Sequence, residues 1–535
     1  MLTKFYRKGH KILITALFFL LVIFFIFYSL FAFNHVHKFS SPDETLNHFF
    51  TKHFIENTNF KYQEPLNQEF NGLVKPRSFS YHHGYIVPGS FLGLPLIYGF
   101  FGKIFGSWII YYLGPLIGSV AVFFFYLFLK EIFIKKIAFI ASLLLFIQPV
   151  YVFYAMRPFW HNGLFVAFLI ITAYFFIKMV KNSSWLNYLF FGIFLGLALI
   201  TRTSEIFWIL LSAVIILGFN YKKLNYKYLI LAAIGFLVIL TPLLYFQNQT
   251  FGQALTTSYT KNITASSGSE SGLSAKNFMK ILLPFGFNSD LFVKRFFDYS
   301  FYLMFLWFGL SFFGLVIVIK KFIKKEVNKN IFSYSLWFLL VSVWLMIYYG
   351  SFRFIEFISQ GTTLIGISYA RYWLPLYVFC LPLAVYFIFK FFRKYRFNKI
   401  ITTLLLSLII FSSIYIIFLD DYYGLKVMLF TKSQEGNNKL DYVLENTGEN
   451  AIIIAGANDK LYFPDRQVIG YNGSRLTASL QNKLPQLYEK APIYLDGNLA
   501  SNLDEVNNNL SVYRLSFEKI DPNNEIYQLT KNDQK

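Results

Sequence analysis

Residues 12–33 read ILITALFFLLVIFFIFYSLFAF, and this run contains no charged side chain. A helix of about 20 mostly apolar residues is long enough to span a bilayer, and the run meets that length. The basic sequence MLTKFYRKGHK precedes it, and no small-residue cleavage site follows it. These flanks favour an uncleaved signal anchor over a secretory signal peptide that is removed.

The composition of the whole chain agrees with a membrane protein. Of 535 residues, 56% are hydrophobic, 21% are aromatic and only 14% are charged, which is far more apolar than an ordinary soluble domain. The formal net charge is +21, but Lys and Arg punctuate apolar segments rather than forming one patch, so we expect no nucleic-acid partner. Cys380 is the only cysteine, which excludes an internal disulfide.

The length rule predicts about eleven spanning helices in an α-helical polytopic fold. They lie near residues 12–33, 107–129, 137–155, 161–180, 186–201, 204–220, 228–246, 299–319, 331–350, 369–391 and 400–419. Clusters of Lys and Arg fall at the N-terminus and in every second gap, at residues 4–11, 130–136, 178–181, 222–227, 320–329 and 390–399. The positive-inside rule then predicts a cytoplasmic N-terminus, with residues 34–106, 247–298 and 420–535 outside.

Two predicted domains follow from a change of composition after Leu419. Residues 1–420 form the predicted transmembrane domain, in which 34–106 is the first external loop with interfacial helices. Residues 421–535 are polar and contain the strand-like runs AIIIAG, RQVIGY and APIYL, which indicate a small extracytoplasmic α/β domain. Segment 247–298 contains TASSGSESGLSAKN, which predicts a mobile loop that is either a linker or a substrate lid.

The first external loop begins with FNHVHKFSSPDETLNHFF, residues 33–50, in a chain that is short of carboxylates. A serine before Pro42 can cap a helix there, Pro42 suits the first turn, and the helix dipole favours Asp43 and Glu44 at that position. Capping needs only one acid, so two acids followed by His48 also predict a catalytic or binding role. A third interpretation is a metal held by Glu44 and His48, which lie four residues apart.

Basic residues lie in the second half of the same loop, in NGLVKPRSFSYHHGYIVPGSFLGLPLIYGFFGKIFG (71–106). Lys75, Arg77, His82 and His83 precede an apolar stretch punctuated by Pro and Gly, whose length predicts a helix along the membrane interface. Acids at one end of the loop and cations at the other suit a site for a phosphorylated lipid headgroup. The alternative is that the cations contact lipid phosphates in general, without a specific ligand.

Three more segments at the predicted outer edge carry one arginine each: YAMRPFWHN (154–162), LALITRTSEIF (197–207) and ISYARYWLPLYVF (367–379). A charged side chain at the end of an apolar helix is costly unless it snorkels or is paired. Arg157, Arg202 and Arg371 therefore predict a shared anionic partner, with His161 and Tyr372 beside them. Interfacial anchoring of each arginine is the alternative interpretation.

Together these motifs resemble one group of membrane enzymes. The PDE sequence of the first loop, VPGSFLGLPLIYG, GLALITRTS, RYWLPLYVF and a soluble tail are similar to glycosyltransferases of the GT-C superfamily. The resemblance covers the layout of residues 1–420 and is to the protein mannosyltransferase and aminoarabinose transferase type, which includes RgtA/B/C/D-like proteins. Where relatives often carry an acid in the loop between the third and fourth helices, this chain has RPFWHN, so the acceptor side is not implied.

The resemblance implies a GT-C-like fold and an inverting transfer, on the outer face of the membrane, of a sugar from a polyprenyl-phosphate donor. It assigns Asp43 as the catalytic general base and Glu44 as its partner. The departing phosphate needs positive charge, so arginines can serve in place of a metal; we expect no required cofactor, with a divalent metal as the alternative. The candidate substrate-binding residues are His48, Lys75, Arg77, His82, His83, Arg157, His161, Arg202, Arg371 and Tyr372.

Two other classes of protein fit some of these observations. A transporter or flippase of a lipid-linked glycan would bind the same cargo without reacting, but transporters usually place ionisable groups at mid-membrane and show paired halves. A surface-glycan polymerase or ligase would share most of the predicted features. The expected partners are the lipid-linked donor, membrane lipids, and an acceptor that is a lipid, a glycan or a protein.

Overall fold

The structure is a computed structural model, and it describes residues 2–34, 38–256, 283, 285–326, 328–352, 363–366, 368–392, 398–420, 424–428, 432–521 and 525–532. The chain packs into two compact units. The first unit comprises Met1–Asn34, Ile104–Leu243 and Ser267–Met428, and the second comprises His35–Lys103, Leu244–Ser266 and Leu429–Lys535. The Ser/Gly-rich stretch at 264–277, for which the sequence predicts a mobile loop, lies outside the described residues.

The first unit is helical in its described part. The helices that lie or begin in it are Leu2–Asn34, Ile110–Leu129, Lys135–Phe146, Pro149–Met156, His161–Lys181, Trp185–Thr201, Ile206–Asn220, Tyr226–Phe251, Ser289–Phe296, Phe305–Ile323, Lys329–Gly350, Ser368–Tyr372, Leu374–Phe379, Leu381–Phe391 and Asn398–Leu419. Leu, Ile, Val and Phe fill them, because side chains that face lipid or a neighbouring helix must be apolar.

Several of these helical segments are long and apolar enough to cross a membrane. Within the described residues there are eight: Ser107–Leu129, His161–Lys181, Thr203–Lys223, Tyr226–Phe251, Phe305–Ile323, Lys329–Gly350, Leu374–Phe391 and Lys399–Leu419. A ninth is possible if one bent pair of helices counts as a single span. Shorter apolar helices are Thr15–Leu30, Gly93–Phe105 and Trp185–Thr201. The protein is therefore a multi-pass membrane protein, while the count of eleven spans stays a prediction.

The bent pair lies where the sequence predicts one span at 137–155. Helices Lys135–Phe146 and Pro149–Met156 meet at an angle of 56°. Pro149 has no N–H and disfavours helical geometry in the residue before it, so it favours a break or a kink in the helix at this point. The side chain of Gln148 caps the new helix by accepting a 2.6 Å hydrogen bond from the Tyr151 amide. The second helix ends at Met156, which places Arg157 in a short link before the next span.

The second unit combines two sheets with short helices. Strands β1 (Phe79–His82) and β2 (Tyr85–Pro88) form an antiparallel hairpin. Strands β3 (Ile452–Ala455), β4 (Gln467–Gly470), β5 (Ile493–Asp496), β6 (Leu515–Asp521) and β7 (Ile526–Lys531) form a sheet in the order β4-β3-β5-β7-β6. Its helices are Pro42–Asn57, Asn67–Phe70, Gly93–Phe105, Lys432–Asn446, Asp459–Tyr462, Ala478–Gln481, Leu484–Tyr488 and Leu503–Leu510.

The α/β prediction for the C-terminal region is confirmed. The runs AIIIAG and RQVIGY contain β3 and β4, and APIYL contains all of β5 except Asp496. These three strands pair in parallel around the central β3. Strands β6 and β7 add an antiparallel hairpin beside β5. The sequence signal was clear for β3 and β5 because both are buried along their whole length, and such strands are continuous apolar runs.

The core of this α/β sheet includes residues of the segment that follows the first helix. Phe70 and Val74 are buried in one cluster with Ile454, Leu495 and Phe517. Residues 35–103 consequently fold in the same unit as 429–535. The predicted division at residue 420 rests on the change of composition after Leu419, and it stays a prediction.

Candidate active site

The acidic pair lies at the start of helix Pro42–Asn57 in the second unit. Ser41 has extended backbone geometry and caps the helix, because its hydroxyl accepts a 3.3 Å hydrogen bond from the Asp43 amide. Pro42 takes the first helical turn, where its missing N–H needs no partner. The predicted serine cap is thus confirmed, and it is supplied without either carboxylate.

The two adjacent carboxylates have different surroundings. Glu44 is completely buried, whereas Asp43 is only partly buried. The Ser78 hydroxyl donates a 2.8 Å hydrogen bond to Asp43 Oδ1, which fixes the orientation of that carboxylate. A general base must be reachable by the proton it abstracts. By this criterion Asp43 is the better candidate for the general base, and Glu44 is the better candidate for a residue that holds Asp43 in position.

Lys75 and Arg77 contact the rest of the second unit. The Arg77 guanidinium forms an ion pair with Asp459, with 2.9 Å between Nη2 and Oδ1. Lys75 donates a 2.8 Å hydrogen bond from Nζ to the carbonyl of Gly72, and burial lowers the pKa of its amine. The structure therefore gives both side chains protein contacts, and their predicted role in substrate binding stays a prediction.

His48, His82 and His83 lie in the second unit. His48 contacts Phe39, with 5.0 Å between ring centroids. His82 and His83 lie together, with 4.0 Å between ring centroids, and His82 Nε2 donates a 3.1 Å hydrogen bond to the carbonyl of Phe251. Among the residues that the structure describes, no three His, Cys, Asp or Glu side chains are grouped so as to hold a metal ion.

In the first unit, three arginines that are far apart in sequence form one cluster with two aromatic residues. We call Arg157, Trp160, Arg202, Arg371 and Tyr372 the arginine–aromatic row. Arg371 Cζ lies 4.7 Å from the Trp160 ring centroid and 4.9 Å from that of Tyr372. On either side, Arg157 Cζ lies 5.7 Å from Trp160 and Arg202 Cζ lies 4.9 Å from Tyr372.

The backbone around the row explains how these residues meet. Arg157 and Trp160 lie in the link that follows the proline break, and Arg202 follows helix Trp185–Thr201. Asn162 donates a 3.0 Å hydrogen bond from Nδ2 to the Arg371 carbonyl, which ties the start of one span to the short helix Ser368–Tyr372. His161, beside Asn162, is also buried. The row is therefore assembled from three separate parts of the chain.

A buried carboxylate that the sequence analysis did not single out lies at one end of the row. Glu205 Oε1 accepts hydrogen bonds from Arg202 Nε at 2.9 Å and from the Tyr349 hydroxyl at 2.7 Å. Its Oε2 accepts from Trp208 Nε1 at 2.6 Å, and Arg202 Nη2 lies 2.7 Å from Oε1. The sequence feature that could have indicated this ion pair is the three-residue spacing of Arg202 and Glu205 in TRTSE, because that spacing places both side chains on one side of a helical turn.

The chemistry of the row suits an anion. Guanidinium groups stack on aromatic faces and present paired N–H donors that match phosphate oxygens. In addition, Tyr349 stacks on Tyr372 with 4.5 Å between ring centroids and 6° between ring planes, which holds that ring in place. Arg157, Trp160 and Arg202 are buried and Arg371 and Tyr372 are partly buried. A phosphate bound by such groups would be attracted more strongly than in water, because the surroundings have a lower dielectric constant.

An apolar cavity lies in the same unit. Its volume is about 430 Å³, and its walls include Phe176, Trp208, Trp337 and Phe379. Trp208 also donates a hydrogen bond to Glu205, and Glu205 accepts one from Arg202, so two hydrogen bonds connect the cavity wall to one end of the arginine–aromatic row. Cavities of this size and character accommodate apolar ligands. An apolar chain is therefore the class of molecule that this cavity suits.

Comparison with known proteins gives a fold for this arrangement. A family model described as dolichyl-phosphate-mannose-protein mannosyltransferase matches residues 90–246, which is less than a third of the chain. ArnT from Cupriavidus metallidurans bound to undecaprenyl phosphate is similar in structure, with a TM-score of 0.58 and 10% sequence identity over 96% of this chain and 98% of ArnT. The chain has the GT-C fold.

Further matches agree with the GT-C fold. ArnT in the apo state gives a TM-score of 0.57 at 11% identity over 98% of both chains. The apo oligosaccharyltransferase of Archaeoglobus fulgidus gives 0.52 at 13% identity over 89% of this chain and 69% of its own. Among curated proteins, no sequence is significantly similar to this chain. The fold implied by the sequence motifs is thereby confirmed.

The segment matched by the mannosyltransferase family model covers only part of the candidate site. Residues 90–246 contain Arg157, His161 and Arg202, whereas Asp43 and Arg371 lie outside that region. The roles of the individual residues accordingly stay predictions, and they rest on the geometry and chemistry described above.

Proposed function

We propose that the protein is a membrane glycosyltransferase that moves a sugar from a polyprenyl-phosphate donor to an acceptor on the outer face of the membrane. The GT-C fold supports this proposal. ArnT, which matches over nearly the whole chain, was solved with undecaprenyl phosphate. AglB from Archaeoglobus fulgidus, with a TM-score of 0.50 at 13% identity over 96% of this chain and 74% of AglB, was solved with dolichol-phosphate and an inhibitory peptide.

The observation that carries the proposal is the state of Asp43. Its carboxylate lies partly exposed at a helix start, has an orienting hydrogen bond from Ser78, and is not needed as the helix cap. Such a group can accept the proton of an acceptor hydroxyl as the oxygen attacks the anomeric carbon. Direct attack from the side opposite the phosphate inverts the configuration of the sugar, without a covalent sugar–enzyme intermediate.

The leaving phosphate gains negative charge as the bond between sugar and oxygen breaks. In the proposed mechanism Arg371 and Arg157 stabilise that charge with directed N–H donors, and no metal is required for this step. Arg202 is held by Glu205 and Tyr349, so we assign it to fixing Tyr372 and the arginine–aromatic row rather than to direct contact with the phosphate. The acceptor is a lipid, a glycan or a protein.

The outer face is proposed from the distribution of charge. Lys and Arg clusters occupy alternate gaps between apolar segments, and the positive-inside rule assigns those gaps to the cytoplasm. The first external loop with Asp43 and the C-terminal region then lie outside. A donor whose lipid is a polyprenyl phosphate suits that location, because the lipid stays in the bilayer while its sugar is transferred.

Asp43→Asn tests the proposal in purified protein reconstituted in liposomes with a polyprenyl-phosphate sugar and a mixture of candidate acceptors. Asparagine keeps the size of the side chain and can still accept from Ser78, but it cannot take a proton. We expect transfer to fall by about 100- to 10,000-fold. Asp465→Asn is the matched control, since Asp465 forms a 2.6 Å ion pair with Lys38 in the same unit.

Two results would contradict the proposal. The first is near-parental transfer by folded Asp43→Asn. The second is movement of the lipid-linked sugar across the bilayer with no transfer to any acceptor, which would identify a flippase. If Asp43→Asn abolishes transfer as expected, mass spectrometry of surface glycolipids and glycoproteins from a deletion strain would identify the sugar and the acceptor.

A further inference from the structure

We propose that Asp459 is a positioning residue for the Asp43 carboxylate, acting through Arg77 and Ser78. The inference rests on the proposed function, because it assigns to the α/β part of the second unit a role in the proposed sugar transfer. In this proposal Asp459 holds the backbone from which the Ser78 hydroxyl reaches Asp43. All four residues belong to the second unit.

The first step is the pair of hydrogen bonds that Asp459 accepts from Arg77. Asp459 follows strand β3 and is completely buried. Its Oδ2 accepts a 2.7 Å hydrogen bond from the Arg77 backbone N–H, and its Oδ1 accepts a 2.9 Å hydrogen bond from Arg77 Nη2. One carboxylate thus binds both the main chain and the side chain of the same residue. Charge-assisted bonds of this kind are short and directional, so the position of Arg77 is fixed.

The second step is a close approach of backbones at the end of β4. The Gly470 amide donates a 2.8 Å hydrogen bond to the carbonyl of Lys75. A Cβ at Gly470 would lie 2.4 Å from the Arg77 nitrogen and 2.8 Å from the carbonyl carbon of Pro76. Only glycine leaves room for this contact. The loop segment 75–77 therefore lies directly on the carboxyl ends of β3 and β4, the edge where parallel α/β sheets commonly bind ligands.

The third step is the conformation of Ser78. Its φ of +67° lies in the left-handed region, which a residue with a Cβ adopts infrequently and only when its surroundings hold it there. On the other side, a Cβ at Gly89 would lie 2.0 Å from the Ser78 carbonyl oxygen. The backbone that follows β2 therefore packs directly against the Ser78 backbone. Held between Arg77 and Gly89, the Ser78 hydroxyl lies 2.8 Å from Asp43 Oδ1.

These three steps connect the α/β sheet to the proposed base. If Arg77 loses its hydrogen bonds to Asp459, Ser78 can relax from the left-handed conformation. Its hydroxyl then moves away from Asp43. A misplacement of about 1 Å in a reacting group can lower a rate by about 100-fold. The same change alters neither Arg157 nor Arg371, the two residues proposed to hold the donor phosphate. If Arg77 acts only by positioning Ser78, we expect turnover to fall while the KM for the donor stays the same.

The test compares Asp459→Asn, Ser78→Ala and the double variant in the transfer assay. Each single variant should lower kcat by about 10- to 100-fold. The double variant should be no slower than the slower single one, because both substitutions break the same connection. Ser78→Gly, which adopts the left-handed region without strain but has no hydroxyl, should be as slow as Ser78→Ala if the hydroxyl is what positions Asp43. In Asp459→Asn, hydrogen exchange of the Arg77 and Ser78 amides should accelerate, which is a readout independent of catalysis.

Two controls separate this inference from the proposed function. Asp465→Asn removes a different carboxylate of the same unit and should retain parental kcat. Gly470→Ala displaces the Arg77 backbone without removing any charge, and it carries the test if Asp459→Asn does not fold. An inactive Asp43→Asn together with parental kcat in Asp459→Asn or Gly470→Ala would overturn the inference alone. Multiplying effects in the double variant would also overturn it, whereas an active Asp43→Asn would remove the proposed function and this inference together.

Discussion

The buried carboxylate of Glu205 gives the sharpest quantitative prediction. In Glu205→Gln the side chain keeps its shape but loses the charge that faces Arg202. The two side chains are 3% and 7% exposed, with 2.7 Å between Oε1 and Nη2. At this distance the attraction is about 6 kcal/mol for an effective dielectric constant of about 20, before the cost of burying the charges is subtracted.

Removing one member of such a pair usually destabilises a protein by about 3 to 5 kcal/mol, since the other charge remains buried. The amide oxygen of glutamine can still accept from Arg202, which places the loss near the lower limit. Its NH₂ group cannot accept from Trp208, which now bonds Oε2, and this adds about 1 kcal/mol. We therefore expect Glu205→Gln to lower the free energy of unfolding by about 3 to 4 kcal/mol.

The assay is unfolding in mixed micelles by titration with a denaturing detergent, followed by tryptophan fluorescence and circular dichroism. Glu131→Gln is the matched control, because Glu131 pairs with two lysines at 3.2 and 2.7 Å. Those lysines are 23% and 39% exposed, so this substitution should cost about 1 kcal/mol or less. Equal losses in Glu205→Gln and Glu131→Gln would refute the reasoning. The double variant Arg202→Met with Glu205→Leu should recover stability, because it leaves no buried charge at that pair.

Three further predictions concern the donor, the topology and pH. Arg371→Lys keeps the charge but not the paired N–H donors, so it should raise the donor KM by about 10-fold with little change in stability; an unchanged KM in both Arg371→Lys and Arg371→Ala would contradict its role at the phosphate. Reporter fusions after Lys227 should be cytoplasmic and those after Lys61 external, and the reverse pattern would move the proposed active face. Burial raises the pKa of Glu64 in the folded protein, so the contribution of Glu64 to stability falls as pH rises above the pKa that Glu64 has in the unfolded chain. Thermal unfolding should therefore show that Glu64→Gln stabilises the protein at pH 7.5 but not at pH 4. An equal effect at both pH values would contradict a raised pKa of Glu64.

Local properties of the sequence determined most of the helical architecture. A membrane span must be apolar over a fixed length because the bilayer has a fixed thickness, so spans such as 161–180 and 331–350 are visible without any tertiary information. The serine cap and Pro42 at the start of the Asp43 helix are also local, since they depend on hydrogen bonds within one turn. The GT-C resemblance follows from the same short motifs, together with their order.

The site itself depends on contacts that no local pattern records. Ser78 and Asp43 are 35 residues apart, and Arg77 and Asp459 are separated by 382. A hydrogen bond across such a distance is set by how the loop lies on the sheet, not by the residues beside it. Likewise Arg157, Arg202 and Arg371 are three isolated cations in the sequence, and only helix packing places them on Trp160 and Tyr372. The sequence therefore predicted which groups are candidates for the reaction, and it determined which segments are long and apolar enough to span a membrane. The tertiary structure decided which groups meet, because packing selects among long-range contacts that the sequence alone leaves equally open.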